Sequence, residues 1–93
     1  MSELRPFVDS ILALAAPAAN RNSGTRLLMV VKVIADCLRP VGPDPQKQLA
    51  RLDQFETEVH DALQRQPNAG EFLVEVMDLI STQKRHLGNQ ISS

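Results

Sequence analysis

Three prolines between residues 39 and 45 constrain the fold of this 93-residue chain more than any other feature. Proline fixes φ, lacks a backbone N–H and disfavours the helical conformation in the residue before it. The segment 39–45 (RPVGPDP) therefore cannot lie inside a helix and must connect two separate elements. At its end, Asp44 and Pro45 fit the N-cap and the first position of a following helix.

Apolar residues recur at helical spacing on both sides of this connection, which predicts an all-α protein. The expected helices are 4–16, 25–38, 45–66 and 69–87. They are expected to form a small four-helix bundle in a single domain covering residues 1–93. Gly88 is expected to end the fourth helix, and residues 89–93 to form a frayed tail.

The second expected helix is apolar nearly all round, a pattern typical of a buried helix. Its residues 30–34 (VVKVI) are rich in β-branched side chains, so a strand is the alternative for this segment. The length of the apolar segment and its lack of strict alternation favour a helix.

The apolar surface of this second helix exceeds what three short neighbours cover easily. The chain has no Trp or Tyr and three Phe residues, so it offers few large side chains for a core. Surplus apolar surface on a small helical chain favours a partner or self-association, and we expect a homodimer. The residues expected to bind a partner come from the second and fourth helices: Leu27, Leu28, Met29, Val31, Leu73, Met77 and Ile80.

The charge balance counts against nucleic-acid binding, because 10 Lys and Arg face 11 Asp and Glu. The charges are nevertheless unevenly distributed, since residues 53–78 hold seven acids and one base, Arg65. The commoner explanation of such a region is a set of ordinary solvated helix faces; the alternatives are a surface that attracts a basic partner and an antiparallel dimer that matches oppositely charged ends. The sequence leaves these interpretations open.

No constellation of catalytic or metal-binding residues is visible. His60 follows Glu56 at helical spacing, but the further ligands of a metal site are missing. The glycines are isolated at expected helix boundaries, which is unlike a phosphate-binding loop. Cys37, the one cysteine, is expected to be a packed core thiol. We therefore expect neither an enzyme nor a bound cofactor or metal.

The N-terminal residues 11–19 (ILALAAPAA) are similar to the apolar part of a signal peptide. Before them, however, Glu3 and Asp9 outnumber Arg5, whereas an exported chain begins with a basic region. No apolar segment approaches the roughly 20 residues that cross a bilayer. We expect a cytoplasmic protein without membrane contact.

These observations predict a non-enzymatic regulator of the adaptor or anti-activator type, which sequesters or modulates another protein through an apolar helix face. The partner would be a transcription factor or a secreted substrate. One alternative is a chaperone for a secreted or assembling partner. A second is a DNA-binding transcriptional regulator using Arg21, Arg26, Lys32 and Arg39, although the connection at 39–45 is too long for a helix-turn-helix.

Overall fold

The computed structural model describes residues 3–15, 23–66 and 69–92, and in these residues it contains helices and no strand. The α-helices are α1 (Arg5–Ala15), α2 (Ser23–Leu38), α3 (Pro45–Gln64) and α4 (Gly70–Ser92). The prediction of an all-α fold is confirmed, and the segment that could have been a strand is the helix α2. The predicted homodimer stays a prediction.

The connection between α2 and α3 folds as its prolines predict. Residues Arg39–Val41 form one turn of 3-10 helix, and Gly42 ends this turn with φ 84° and ψ −165°. The side chain of Asp44 accepts a hydrogen bond from the backbone N–H of Gln46 at 3.0 Å, and Pro45 occupies the first turn of α3. The predicted N-cap and helix start are confirmed.

The core lies where one face of each helix converges. α3 and α4 contribute the largest share, through two rows of buried side chains. These are Leu52, Phe55, Val59 and Leu63 of α3 and Phe72, Val76, Ile80 and Leu87 of α4. α1 packs across α2 and α3 with Val8 and Ile11, and α2 adds Val30, Ile34, Cys37 and Leu38. The radius of gyration, 13.1 Å, is close to the roughly 12 Å of a compact chain of this length.

α3 and α4 form an antiparallel hairpin that an ion cluster closes on one side. The Nζ of Lys84, in the second half of α4, lies 2.5 Å from Oδ1 of Asp53 and 3.0 Å from Oε1 of Glu56 on α3. Lys84 donates hydrogen bonds to the carboxylates of Asp53 and Glu56, and these bonds, with Asp53 first, raise the pKa of Lys84 above its ordinary value because they stabilise the ammonium form.

Two arginines hold α2 in place through its two ends. Arg51 of α3 donates from Nε to the backbone carbonyl of Cys37 at 2.6 Å, where a helix C-terminus leaves carbonyls without partners. Near the other end, Nη2 of Arg26 lies 3.3 Å from Oε2 of Glu75, and its guanidinium lies 4.8 Å from the ring centre of Phe72.

The predicted end of α4 at Gly88 is wrong, because the helix continues to Ser92. Gly88 has no positive φ, whereas a glycine that ends a helix usually adopts one. The buried Leu87 packs this last part of α4 against the core, and that contact outweighs the small cost of one glycine in a helix. The expected frayed tail is therefore helical as far as Ser92.

Candidate functional site

The candidate site is built on the outer side of α2. Leu28 is 71% exposed, Met29 48% and Val31 47%, although each is a large apolar side chain. Leu27, one residue before them, is half-buried. We call Leu28, Met29 and Val31 the α2 apolar surface. Exposed aliphatic side chains that are grouped on one helix typically mark a contact surface.

This surface continues into a groove between α2 and α4. α2 lines the groove with Val31, Ile34, Ala35 and Leu38, and α4 lines it with Leu79. Thr82 and Gln83 form its polar edge. The groove has a volume of about 180 Å³. It exceeds the roughly 150 Å³ of a protein cavity that admits benzene, so an aliphatic side chain fits inside.

The residues predicted on α4 lie deeper than those on α2. Leu73 and Met77 are half-buried and pack against the core. Ile80 is fully buried between the helices, so its side chain is not available to a partner in the folded chain. We therefore leave Ile80 out of the proposed surface. The structure does not bring the α4 residues together with Leu28 and Met29 in one exposed patch.

Sequence reasoning missed Val74, which is 68% exposed on α4. Val74 shares its side of the helix with Glu71, Asp78 and Ser81, all of them exposed. A single aliphatic residue on a charged face makes no periodic pattern, which is why it was not singled out. The signal available was its position outside the apolar stripe formed by Phe72, Val76 and Ile80.

The acidic region 53–78 is not one continuous surface. Asp53 and Glu56 are bound to Lys84, and Glu75 is bound to Arg26. Glu71 and Asp78 are exposed and, in the described part of the chain, take part in no ion pair. Much of the negative charge thus stabilises the helix packing, and what remains free on α4 lies beside Val74.

Two of the three described basic residues on α2 or directly after it are ion-paired. Arg26 is held by Glu75 and Phe72, and Arg39 pairs with Asp36 at 2.7 Å. Lys32 is exposed and has no ion-pair partner within the described residues. Few basic residues lie on this part of the surface and two of them are already ion-paired, which does not favour the DNA-binding alternative. Arg21, the remaining residue of that alternative, lies outside the described residues.

Titratable side chains do not converge on a reactive site in the part of the chain that the structure describes. No three His, Cys, Asp or Glu side chains there are placed to hold a metal ion. Cys37 is buried as predicted, and burial raises the pKa of its thiol, against an opposing hydrogen bond from Arg51. A protonated, inaccessible thiol is a poor nucleophile.

Across residues 3–15, 23–66 and 69–92, none of the helices combines the length and the hydropathy that a membrane crossing requires. The described residues form a compact, all-helical bundle that leaves Leu28, Met29 and Val31 of α2 exposed. Comparison with protein-family models, with curated proteins and with solved structures finds no match to this chain.

Proposed function

We propose that this protein is a non-enzymatic regulator, of the adaptor or anti-activator type, that binds another protein through the α2 apolar surface. One observation carries the proposal: Leu28, Met29 and Val31 are exposed together on α2 although the core is complete without them. Removing such side chains from water on binding would contribute roughly 25 cal/mol for each Å² of apolar area buried.

The shape of the surface fits a helix or another apolar segment of the partner. Leu28 and Val31 are one helical turn apart, and Val31 leads into the groove towards Leu38 and Leu79. A partner side chain could therefore occupy the groove while its neighbours cover Leu28. Met29 adds an adaptable thioether at the other edge.

The proposal is tested by replacing Leu28 with Asp. This variant should fold normally, because Leu28 makes no part of the core, and circular dichroism checks this. The native protein, the L28D variant and a control A50D are each used to capture proteins from the source cells. Ala50 is exposed on α3, so A50D adds the same charge away from α2.

We expect one stoichiometric partner that binds the native protein and A50D equally. After purification, titration calorimetry should show at least about a tenfold weaker Kd for L28D, since central apolar contacts are worth more than about 1 kcal/mol. Equal affinity of L28D would contradict the proposal. Capture of unassembled or secretion-bound subunits would support the chaperone alternative instead.

A further inference from the structure

We propose that the α2–α4 groove of one molecule binds the Val74 surface of a second copy of this chain. The Val74 surface is Glu71, Val74 and Asp78 on the outer side of α4. This inference does not rest on the proposed function, because both contacting surfaces belong to the chain itself.

The Val74 surface is an aliphatic side chain between two carboxylates. Residues 71, 74 and 78 follow the spacing i, i+3, i+7, which places them along one side of a helix. Val74 is 68% exposed, and Glu71 and Asp78 are exposed as well. Neither carboxylate forms an ion pair with any residue that the structure describes. The two are about two turns apart, roughly 10.5 Å along the helix axis.

α2 carries the complementary pattern at the same spacing. Lys32 and Ala35 of α2 and Arg39, in the 3-10 turn that follows it, also take the spacing i, i+3, i+7, and all three are exposed. Here two cations flank a small residue, and Ala35 lines the groove beside Val31 and Leu38. The charges of one pattern are therefore opposite to those of the other at equal separation, and the larger Val74 faces the small Ala35.

Lys32 is fully available for this contact, and Arg39 is available in part. Lys32 has no ion-pair partner in the described residues. Arg39 pairs with Asp36, but its side chain is 78% exposed and keeps further donors free. Val74 would enter the groove over Ala35. Glu71 would then approach Lys32, and Asp78 would approach Arg39. Opposite charges around an apolar contact fix its register and orientation.

The two surfaces cannot meet within one molecule. Leu79 of α4 lines the groove, whereas Val74 lies on a different side of the same rigid helix. Contact between them therefore requires two copies, either as a dimer closed by a two-fold axis or as an open chain. A contact of this size is expected to be weak and to weaken further with salt. Because Val31 belongs both to the groove and to the α2 apolar surface, self-association would compete with partner binding.

The test is sedimentation of the purified protein over a range of concentrations, with two variants that each damage one surface. V74D places a charge where the groove is apolar, and A35R fills the groove. Both sites are exposed, so both variants should fold. We expect each variant to self-associate at least about tenfold more weakly than the native protein, and the control A50D to be unchanged.

Mixing the two variants distinguishes this contact from any other. V74D keeps an intact groove and A35R keeps an intact Val74, so the mixture should form hetero-pairs that neither variant forms alone. A charge exchange provides a second check: K32E and E71K should each weaken association, and K32E/E71K should recover it, because Lys32 faces Glu71 in this contact.

Three results would overturn the inference. They are a native protein that stays monomeric up to about 1 mM, a V74D variant that self-associates like the native protein, and a mixture of V74D and A35R that recovers no association. If V74D self-associates like the native protein while A35R does not self-associate, the contact lies between two α2 helices instead. All of these measurements use purified protein alone, so they leave the proposed partner binding to be judged by its own experiment.

Discussion

The α3–α4 hairpin and α2 use their apolar residues in opposite ways. In the hairpin, most large apolar residues form two facing rows that are buried or half-buried, and only Val74 and Ile91 among those of the described residues are exposed. In α2, Val30, Ile34, Cys37 and Leu38 are buried, while Leu28, Met29 and Val31 on the other sides are exposed. Both segments are strongly apolar in sequence.

The difference separates a part of the molecule whose apolar residues hold the fold together from a part that leaves apolar residues in contact with water. The hairpin is joined along its length by core contacts and by Lys84 between Asp53 and Glu56. α2 is joined on one face and through its ends, by Arg26 and Arg51. Its outer face can therefore change without loss of the fold.

The largest expected effect contrasts one residue from each region. Phe55→Ala removes a fully buried ring from the hairpin and should lower the free energy of unfolding by about 3–5 kcal/mol. Leu28→Ala on α2 should change it by no more than about 0.5 kcal/mol. Urea denaturation followed by circular dichroism, at low protein concentration, measures both. A cost above 2 kcal/mol for Leu28→Ala would erase the contrast.

A smaller effect on the free energy of unfolding is expected in the 39–45 connection between α2 and the hairpin. Gly42 has φ 84° and ψ −165°, a conformation that essentially only glycine adopts. Gly42→Ala should cost about 1–3 kcal/mol through the backbone alone, since an added Cβ meets nothing within 4 Å.

Gly70→Ala is the matched control for Gly42→Ala, because Gly70 has no positive φ and is equally open. It should be close to neutral in the same denaturation experiment. If both alanine variants have the same free energy of unfolding, the positive φ of Gly42 does not contribute to the stability of the 39–45 connection.

The ion cluster of the hairpin provides the third test. Lys84→Met leaves Asp53 and Glu56 without their cation and should lower the free energy of unfolding by about 1 kcal/mol at neutral pH. Lys47→Met, at an exposed lysine of α3, should have little effect.

The pH dependence of this difference follows from the raised pKa of Lys84. Because the pKa of Lys84 is raised in the folded state, its ion pairs contribute fully to the free energy of unfolding below the ordinary lysine pKa of about 10.4. This contribution is lost as the pH rises through the folded value. The native protein and Lys84→Met should therefore converge in stability once the pH exceeds the folded pKa of Lys84, which lies above the ordinary lysine value. A difference that persists there would mean that the lysine stem, rather than its charge, stabilises the hairpin.

The smallest effect tests the end of α4. Gly88→Ala should raise the free energy of unfolding by about 0.5–1 kcal/mol, because alanine is the better helix former and an added Cβ meets nothing within 4 Å. Loss of stability in this variant would show that the helix does not run through Gly88 in solution.

The helices and the connection at 39–45 could be predicted from the sequence because their signals are local. Asp44 and Pro45 cap and start α3 through atoms within two residues of each other. The end of α4 was predicted wrongly, because the contact of Leu87 with the core decides it, and such a contact is not visible in a local pattern. Arg51 was likewise missed, since the carbonyl it binds is 14 residues away.

The candidate site shows the same division. The sequence alone established that α2 has more apolar residues than a helix of this bundle can bury, and that they recur at helical spacing. Only the tertiary structure decided that Leu28, Met29 and Val31 are exposed, that Ile80 is buried and that Val74 is not. The physical reason is that a helix can rotate about its own axis without any change in its local contacts. Packing against the neighbouring helices fixes that rotation, and with it which side chains meet water.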